Sequence, residues 1–276
     1  MGKICQLVMG PAGSGKSTYC RTMMTHSQSI KRNFHLVNLD PAAEPFEYEP
    51  TVDIRDLISL DDVVEELQFG PNGGLIYCME FLVENMDWFE AELQDYEDDY
   101  LVIDCPGQIE LYTHFTIMRQ VTDMLQRLGY RVCGVYILDS QFIEDSTKFF
   151  AGIMSAMSAM LQLEVPHVNI MTKMDLVSKN KSHSELERFF DVDSSLLLED
   201  ANSVTRPKFH NLNQALVRLI DEYSMVSLLP LNIKDEDSIA NILEHIDHAV
   251  QYGEDLEPKE PKDDEFEEEG GYGDRD

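Results

Sequence analysis

Gly10-Pro11-Ala12-Gly13-Ser14-Gly15-Lys16-Ser17-Thr18 is the stretch from which the rest of this chain is read. It fits the pattern G-x-x-x-x-G-K-[ST], in which a glycine-rich backbone curls so that its N–H groups face phosphate oxygens. Gly13, Ser14, Gly15 and Thr18 belong to that cradle. Lys16 supplies positive charge to the β and γ phosphates, and Ser17 is a ligand for Mg²⁺. The apolar run Ile4–Met9 before it reads as a strand, and the residues from Ser17 as a helix whose positive dipole end faces the same anion. A glycine-rich turn matching by chance would not sit between a strand and a helix.

Outward from this loop, short apolar runs alternate with helical patterns, which predicts an α/β fold. The class expected is a P-loop NTPase G domain with a mostly parallel sheet, helical insertions and a disordered acidic tail. Strands are predicted at Ile4–Met9, 35–39, Tyr100–Asp104, 133–138, 167–171 and 225–229. Helices are predicted from Ser17, after Glu110, after Glu144, over 213–223 and over 235–252, the last with Asp235 as N-cap. The domain built on this loop is expected to span 1–253. Two stretches exceed the minimal alternation. One is an insertion over 41–99, with helical patterns at 55–69 and 88–96 flanking Gly70-Pro71-Asn72-Gly73-Gly74. The other is a helical excursion over 179–223. Residues 254–276 carry twelve acids against Lys259, Lys262 and Arg275, with few apolar residues, and read as a disordered tail. Met154, Met157 and Met160 fall on one helical stripe, a spacing that favours core packing over a binding groove.

The formal net charge of the 276 residues is −31. Such a chain repels nucleic-acid backbones and anionic membranes, so direct contact with either is not expected. A phosphate site in it must build its positive potential locally. The five cysteines are odd in number, widely spaced and free of any C-x-x-C pair, which reads as reduced buried thiols in the cytoplasm or nucleus. Neither a signal peptide nor an apolar run of membrane-spanning length is present in the sequence.

Three further motifs carry chemistry. Asp104-Cys105-Pro106-Gly107-Gln108 ends a predicted strand, where open α/β sheets place ligand groups. Asp104 there would hold Mg²⁺ through water, the Gly107 N–H would reach the γ-phosphate, and Gln108 would orient the attacking water. Thr172-Lys173-Met174-Asp175 follows another strand and resembles the [NT]-K-x-D base-recognition motif. A carboxylate at Asp175 accepts N1–H and the exocyclic amine of guanine; adenine offers neither donor and would leave it buried and unpaired. The bland reading of Asp175 is a helix N-cap. Asp40, in Asn38-Leu39-Asp40-Pro41-Ala42, suits a switch-type carboxylate beside Mg²⁺, through water, or beside the attacking water; the bland reading is a turn that begins at Asp-Pro.

With Gly70-Pro71-Asn72, Asn38-Leu39-Asp40-Pro41-Ala42 and Asp104-Cys105-Pro106-Gly107-Gln108-Ile109-Glu110 together, the sequence resembles the GPN-loop GTPases over nearly its whole length. Details such as Tyr19-Cys20 and Val168-Asn169-Ile170-Met171 are most like the eukaryotic GPN-loop GTPase 3 branch. The resemblance implies a dimer, with a paralogue or with itself, in which Asn72 reaches in trans into the partner's site. Glu110 would join Gln108 and Asp40 in handling water. It also implies assembly and nuclear import of RNA polymerase II, hence contact with its subunits and shuttling to the nucleus. Composition alone leaves Gly70–Gly74 open between an ordinary tight turn and a functional loop. Two departures stand out. The segment Leu229-Pro230-Leu231-Asn232 replaces the Ser-Ala-Lys type of base-edge loop, with no side-chain role evident. Pro11 stands where related ATPases with a second P-loop lysine carry it. A GTP-binding assembly scaffold with negligible turnover remains an alternative to an active GTPase. A nucleoside or nucleotide kinase would leave the motif at 172–175 unexplained.

Overall fold

The computed structural model describes residues 2–44, 48–94, 96, 100–177, 189–190, 194–222 and 227–254. The predicted tail from 255 and the start of the excursion, at 179–188, lie outside them. Seven strands form one sheet: β1 (Ile4–Met9), β2 (Phe34–Asn38), β3 (Val52–Asp53), β4 (Tyr100–Asp104), β5 (Arg131–Asp139), β6 (His167–Thr172) and β7 (Leu228–Pro230). Their order is β3-β2-β4-β1-β5-β6-β7, and every pairing is parallel. All six residues of β1 and all five of β4 are buried, as strands covered on both faces require.

The two-residue alternation of each strand assigns its side chains to two cores. Cys5, Leu7 and Met9 of β1 join Leu101 and Ile103 of β4 on one face. Ile4, Val8 and Val102 point to the other. The first face is covered by α3 (Pro71–Glu84), α4 (Met86–Leu93), α6 (Ile117–Arg127) and α7 (Ser146–Leu163), through residues such as Met79, Phe89, Val121 and Phe149. The second is covered by α1 (Lys16–Ser29) through Tyr19 and Met23, and by α11 (Glu236–Ala249) through Ile239, Ile242, Leu243 and Ile246. Asp235 caps α11 by accepting the Asp237 N–H. Met157 is buried in the first core, with Met154 and Met160 packed against it, so the methionine stripe is core. All five cysteines are free and buried. Among the described residues, no helix is long and apolar enough to cross a membrane.

The sequence expectations need two corrections. The helical pattern at 55–69 resolves into a short 3-10 turn, Ile54–Asp56, and α2 (Leu60–Leu67), which starts where the Ser59 hydroxyl accepts the Asp62 N–H. Gly70–Gly74 is not a free turn: Gly70 is the N-cap and Pro71 opens α3, because a fixed φ and a missing N–H cost nothing in a first helical turn. Of the strand expected over 225–229, residues 225 and 226 lie outside the described residues, and the described strand is Leu228–Pro230, with Leu228 paired to Asn169. The edge strand β3 was not anticipated; two residues are too short for any periodic signal. The remaining short helices are α5 (Glu110–Thr113), α8 (Met174–Val177), α9 (Ser194–Val204) and α10 (His210–Glu222).

At the N-terminal ends of the strands, away from the P-loop, Arg32 fastens the C-terminal helix to the sheet. Its guanidinium lies 4.1 Å from the Tyr252 ring centroid and 5.0 Å from that of Tyr100, and pairs with Asp247 at 2.6 Å. Arg131 adds a bond to the Gln251 carbonyl at 2.7 Å.

Candidate nucleotide site

The C-terminal ends of β1, β2 and β4 converge on one cavity of about 900 Å³, lined among others by Lys16, Ser17, Asp40, Asn72, Gln108 and Glu110. The loop after β1 reaches it through conformations that only glycine adopts readily. Gly10 has φ 139°, and a Cβ there would meet the Ile137 carbonyl oxygen at 2.3 Å. Gly15 is the left-handed N-cap of α1, so Lys16 and Ser17 occupy the first helical positions. The Lys16 ammonium is nearly buried and bonds the Gly10 and Pro11 carbonyls, both at 3.2 Å. Thr18 and Gly13 also line the cavity. The Ser14 hydroxyl is buried with no hydrogen-bond partner among the described residues.

The loop after β4 lies against the P-loop. A Cβ on Gly107 would come within 2.9 Å of Ala12 Cα, so glycine is what lets the two loops touch. The Tyr112 hydroxyl, on α5, donates to the Pro106 carbonyl and holds this loop from behind. Gln108 lines the cavity, and its Oε1 is buried without a partner among the described residues. Glu110, the first residue of α5, is exposed at the cavity rim. Asn72 sits in the first turn of α3 and lines the cavity of its own chain.

Burial pushes the Asp104 carboxyl up to about 6, against the opposing pull of a Ser17 hydrogen bond and the Lys16 charge. One of its oxygens, Oδ1, has no partner among the described residues. Burial also raises Asp40, offset by the Ala42 N–H and by the charges of Lys16 and Arg55. The Ser17 hydroxyl and the Asp40 carboxylate line the cavity, and Asp104 is hydrogen-bonded to Ser17 behind it; these are hard oxygen donors of the type Mg²⁺ takes, and Mg²⁺ characteristically keeps waters and phosphate oxygens for its other positions. The residues therefore fit that ion. No cluster of three or more His, Cys, Asp or Glu suited to a metal occurs among the described residues, so an all-protein cage is not what they build.

The loop after β6 is tied to the phosphate cradle. Thr172 Oγ1 donates to the Ser14 carbonyl at 2.6 Å, and Lys173 Nζ to the Gly13 carbonyl at 2.8 Å. Lys173 adopts φ 59° and also pairs with Asp139, at the end of β5, at 2.5 Å. The Ser140 hydroxyl donates to the Lys173 carbonyl. Met174 is buried in the first core, which leaves Asp175 as the polar group of α8's first turn. Asp175 pairs with Lys234 Nζ at 2.8 Å. Lys234 follows the Leu229–Asn232 segment, for which no side-chain role was legible. Nothing local in the sequence marks Lys234, and nothing local shows that Asp139 meets Lys173, because both pairings join residues far apart in the chain. Asp139 did carry one readable sign, its place at the end of a strand.

Fold and site together define a P-loop nucleotide-binding protein, with its phosphate cradle joined by hydrogen bonds to the loop after β6. A family model described as a conserved hypothetical ATP binding protein matches residues 8–252. The protein called GPN-loop GTPase 3 from Mycosarcoma maydis is 60% identical, over 95% of this chain and 97% of its own. That of Schizosaccharomyces pombe is 56% identical, over 95% and 96%. A GTPase from Pyrococcus abyssi, solved in apo form, shares the fold with a TM-score of 0.75 at 22% identity, covering 89% of this chain and 97% of that one. The chain belongs to the GPN-loop GTPase family, and within it is similar to the proteins named GPN-loop GTPase 3.

Proposed function

We propose that this chain binds GTP with Mg²⁺ and hydrolyses it slowly to GDP and phosphate, as a switch whose nucleotide state governs its assembly with a partner. The observation that carries the reading is the pair of bonds from Thr172 and Lys173 to the carbonyls of Ser14 and Gly13. They tie the loop that carries Asp175 to the phosphate cradle. An acceptor-only carboxylate matches the N1–H and exocyclic amine of guanine and has no donor to meet on adenine. This favours GTP over the ATP named in the family model's description.

On the phosphate side, the bound ion would be held by Ser17 directly and by Asp104 and Asp40 through water, and would supply charge neutralisation at the β and γ phosphates. Lys16 meets the same oxygens. Gln108 and Asp40 orient the attacking water, with Glu110 at the rim receiving its proton. The first turn of α3 aims backbone N–H groups and the Asn72 amide at the charge that develops on the transferred phosphoryl group. Asn72 acts in trans in a dimer with a paralogue or with a second copy on the reading the family suggests. Its place in the cavity of its own chain favours a second reading, action in cis. Family resemblance alone supports the wider role: a cytoplasmic protein that shuttles to the nucleus and serves assembly and import of RNA polymerase II.

The test is single-turnover hydrolysis of GTP and ATP by the purified chain, alone and with a paralogue, with Lys16→Ala as control. GTP turnover that needs Mg²⁺ and Lys16 supports the reading. Stoichiometric GTP binding without turnover in either setting would replace it with a scaffold that uses nucleotide structurally.

A further inference from the structure

The Asp40 turn is held by residues outside the nucleotide motifs. Asn38, the last residue of β2, is fully buried, and the strand register sets it between Asp53 on β3 and Asp104 on β4. Its amide nitrogen donates to Asp53 Oδ1 at 2.8 Å and to the Asp40 carbonyl at 3.1 Å. Its oxygen accepts the Asp40 N–H at 2.9 Å. One side chain thus grips both backbone groups of Asp40.

Asp53 needs a cation to stay ionised this close to the core, and Arg55 provides it. The Arg55 Nε is 3.0 Å from each Asp53 oxygen, and Nη2 is 2.5 Å from Oδ2. Burial alone would raise the Asp53 carboxyl; the hydrogen bonds from Arg55 and Asn38 overcome it and hold it below the ordinary value. The remaining fork nitrogen, Nη1, reaches forward to the Ala43 carbonyl at 3.2 Å. Between these two anchors, the Leu60 N–H at the start of α2 donates to the Pro41 carbonyl at 3.2 Å. The turn is therefore fixed at its first, second and fourth residues, and two of the three fixings come from the insertion. Leu60 also lies against Gly74 of α3, the helix whose first turn carries Asn72.

We propose that Asn38, Asp53 and Arg55 are positioning residues that set the Asp40 carboxylate at the phosphate cavity and tie its place to the insertion carrying Asn72. The inference rests on the reading of Asp40 as the carboxylate beside the bound ion or the attacking water. A planar fork suits Arg55 because its nitrogens are spread along the group: Nε and Nη2 meet the Asp53 carboxylate side-on while Nη1 reaches the Ala43 carbonyl, whereas an ammonium presents all its donors from one point.

Arg55→Ala removes the anchor at a partly exposed side chain and leaves the core intact. In this variant GDP affinity, measured in the presence of a chelator, stays within about twofold of the parent. Single-turnover GTP hydrolysis at saturating Mg²⁺ falls about tenfold or more, the scale of a small misplacement of a reacting group. Asp53→Asn, nearly the same shape, behaves alike, and Arg55→Lys recovers only part of the loss. Amide hydrogen exchange at residues 40–43 speeds up in both Arg55→Ala and Asp53→Asn. The deciding measurement is the double-mutant cycle: in an Asp40→Ala background, Arg55→Ala costs less than about twofold, because it acts through a group already gone. A full loss in both backgrounds, an equal loss of GDP affinity, or unchanged exchange at residues 40–43 overturns the positioning role while leaving Asp40 in place. Parental hydrolysis by Asp40→Ala alone overturns the reading of Asp40 itself, and the relay with it.

Discussion

Replacing Asp104 by Asn should stabilise the nucleotide-free protein while damaging the site. In the folded chain burial pushes the Asp104 carboxyl up to about 6 from an ordinary value of 3.8, so the unfolded chain loses this proton first. Between those two values the native state binds more protons than the unfolded one, and stability falls as pH rises, levelling off above about 6. A shift of roughly two units corresponds to about 3 kcal/mol of destabilisation at pH 7.5, and to about half of that at pH 5, where the folded group is still mostly protonated. Asn removes the titration and keeps the shape. The expected gain at pH 7.5 is therefore about 3 kcal/mol, or on the order of 5–10 °C in Tm for a chain of this size. Thermal melts of parent and variant with chelator, at pH 5 and pH 7.5, measure it directly. Adding GDP and Mg²⁺ should then raise the Tm of the parent more than that of the variant. A variant no more stable than its parent at pH 7.5, or a gain independent of pH, would refute the argument that Asp104 is held ionised at a cost.

Three further outcomes are expected. Asp175→Asn should weaken GDP and favour xanthosine diphosphate, whose C2 oxygen accepts where guanine donates, by about a hundredfold in relative affinity; competition binding reads the ratio, and retained GDP preference would refute the base assignment. Gly107→Ala should lower nucleotide affinity and stability together, by about 1–3 kcal/mol in stability, because its methyl group meets Ala12; calorimetry and denaturant titration check both, and a neutral variant would show that the loops separate freely. Asn72→Ala should reduce kcat by roughly ten- to a thousandfold with little change in affinity. Mixing it with Lys16→Ala subunits distinguishes the two geometries: partial recovery of activity means action across a dimer, and none despite subunit exchange means action within one chain.

The parts of this protein that were legible from sequence are those whose physics is local. The P-loop was readable because its glycines answer a backbone requirement within nine residues, and β1 and β4 because buried parallel strands are continuous apolar runs. Asp104 and Thr172 were found because a strand end is itself a local landmark. What escaped depends on partners distant in the chain. Lys234 meets Asp175, and Asp139 meets Lys173, across gaps that no spacing rule spans. That Gly70–Gly74 forms the first turn of α3 was not legible, because Gly-Pro-Asn-Gly-Gly has the composition of a turn or loop. The helix is settled instead by the residues after it, with Gly74, Cys78, Met79 and Leu82 buried along one side. The role of Arg55 depends on the unforeseen strand β3, whose two residues deliver Asp53 beside Asn38.

The Arg32 clamp gives this molecule a usable polarity. It joins Tyr252 and Asp247 to the strand ends opposite the P-loop, so the chain beyond residue 254 starts from the far side of the sheet. The five residues of β4 alone put roughly 16 Å between the two ends. A fluorophore, affinity handle or surface tether attached at residue 252 or 253 sits at the strand ends opposite the nucleotide cavity. The clamp also joins the two ends mechanically: pulling on residue 252 acts first on Arg32, Arg131 and α11, which lie between it and the loops after β1 and β4.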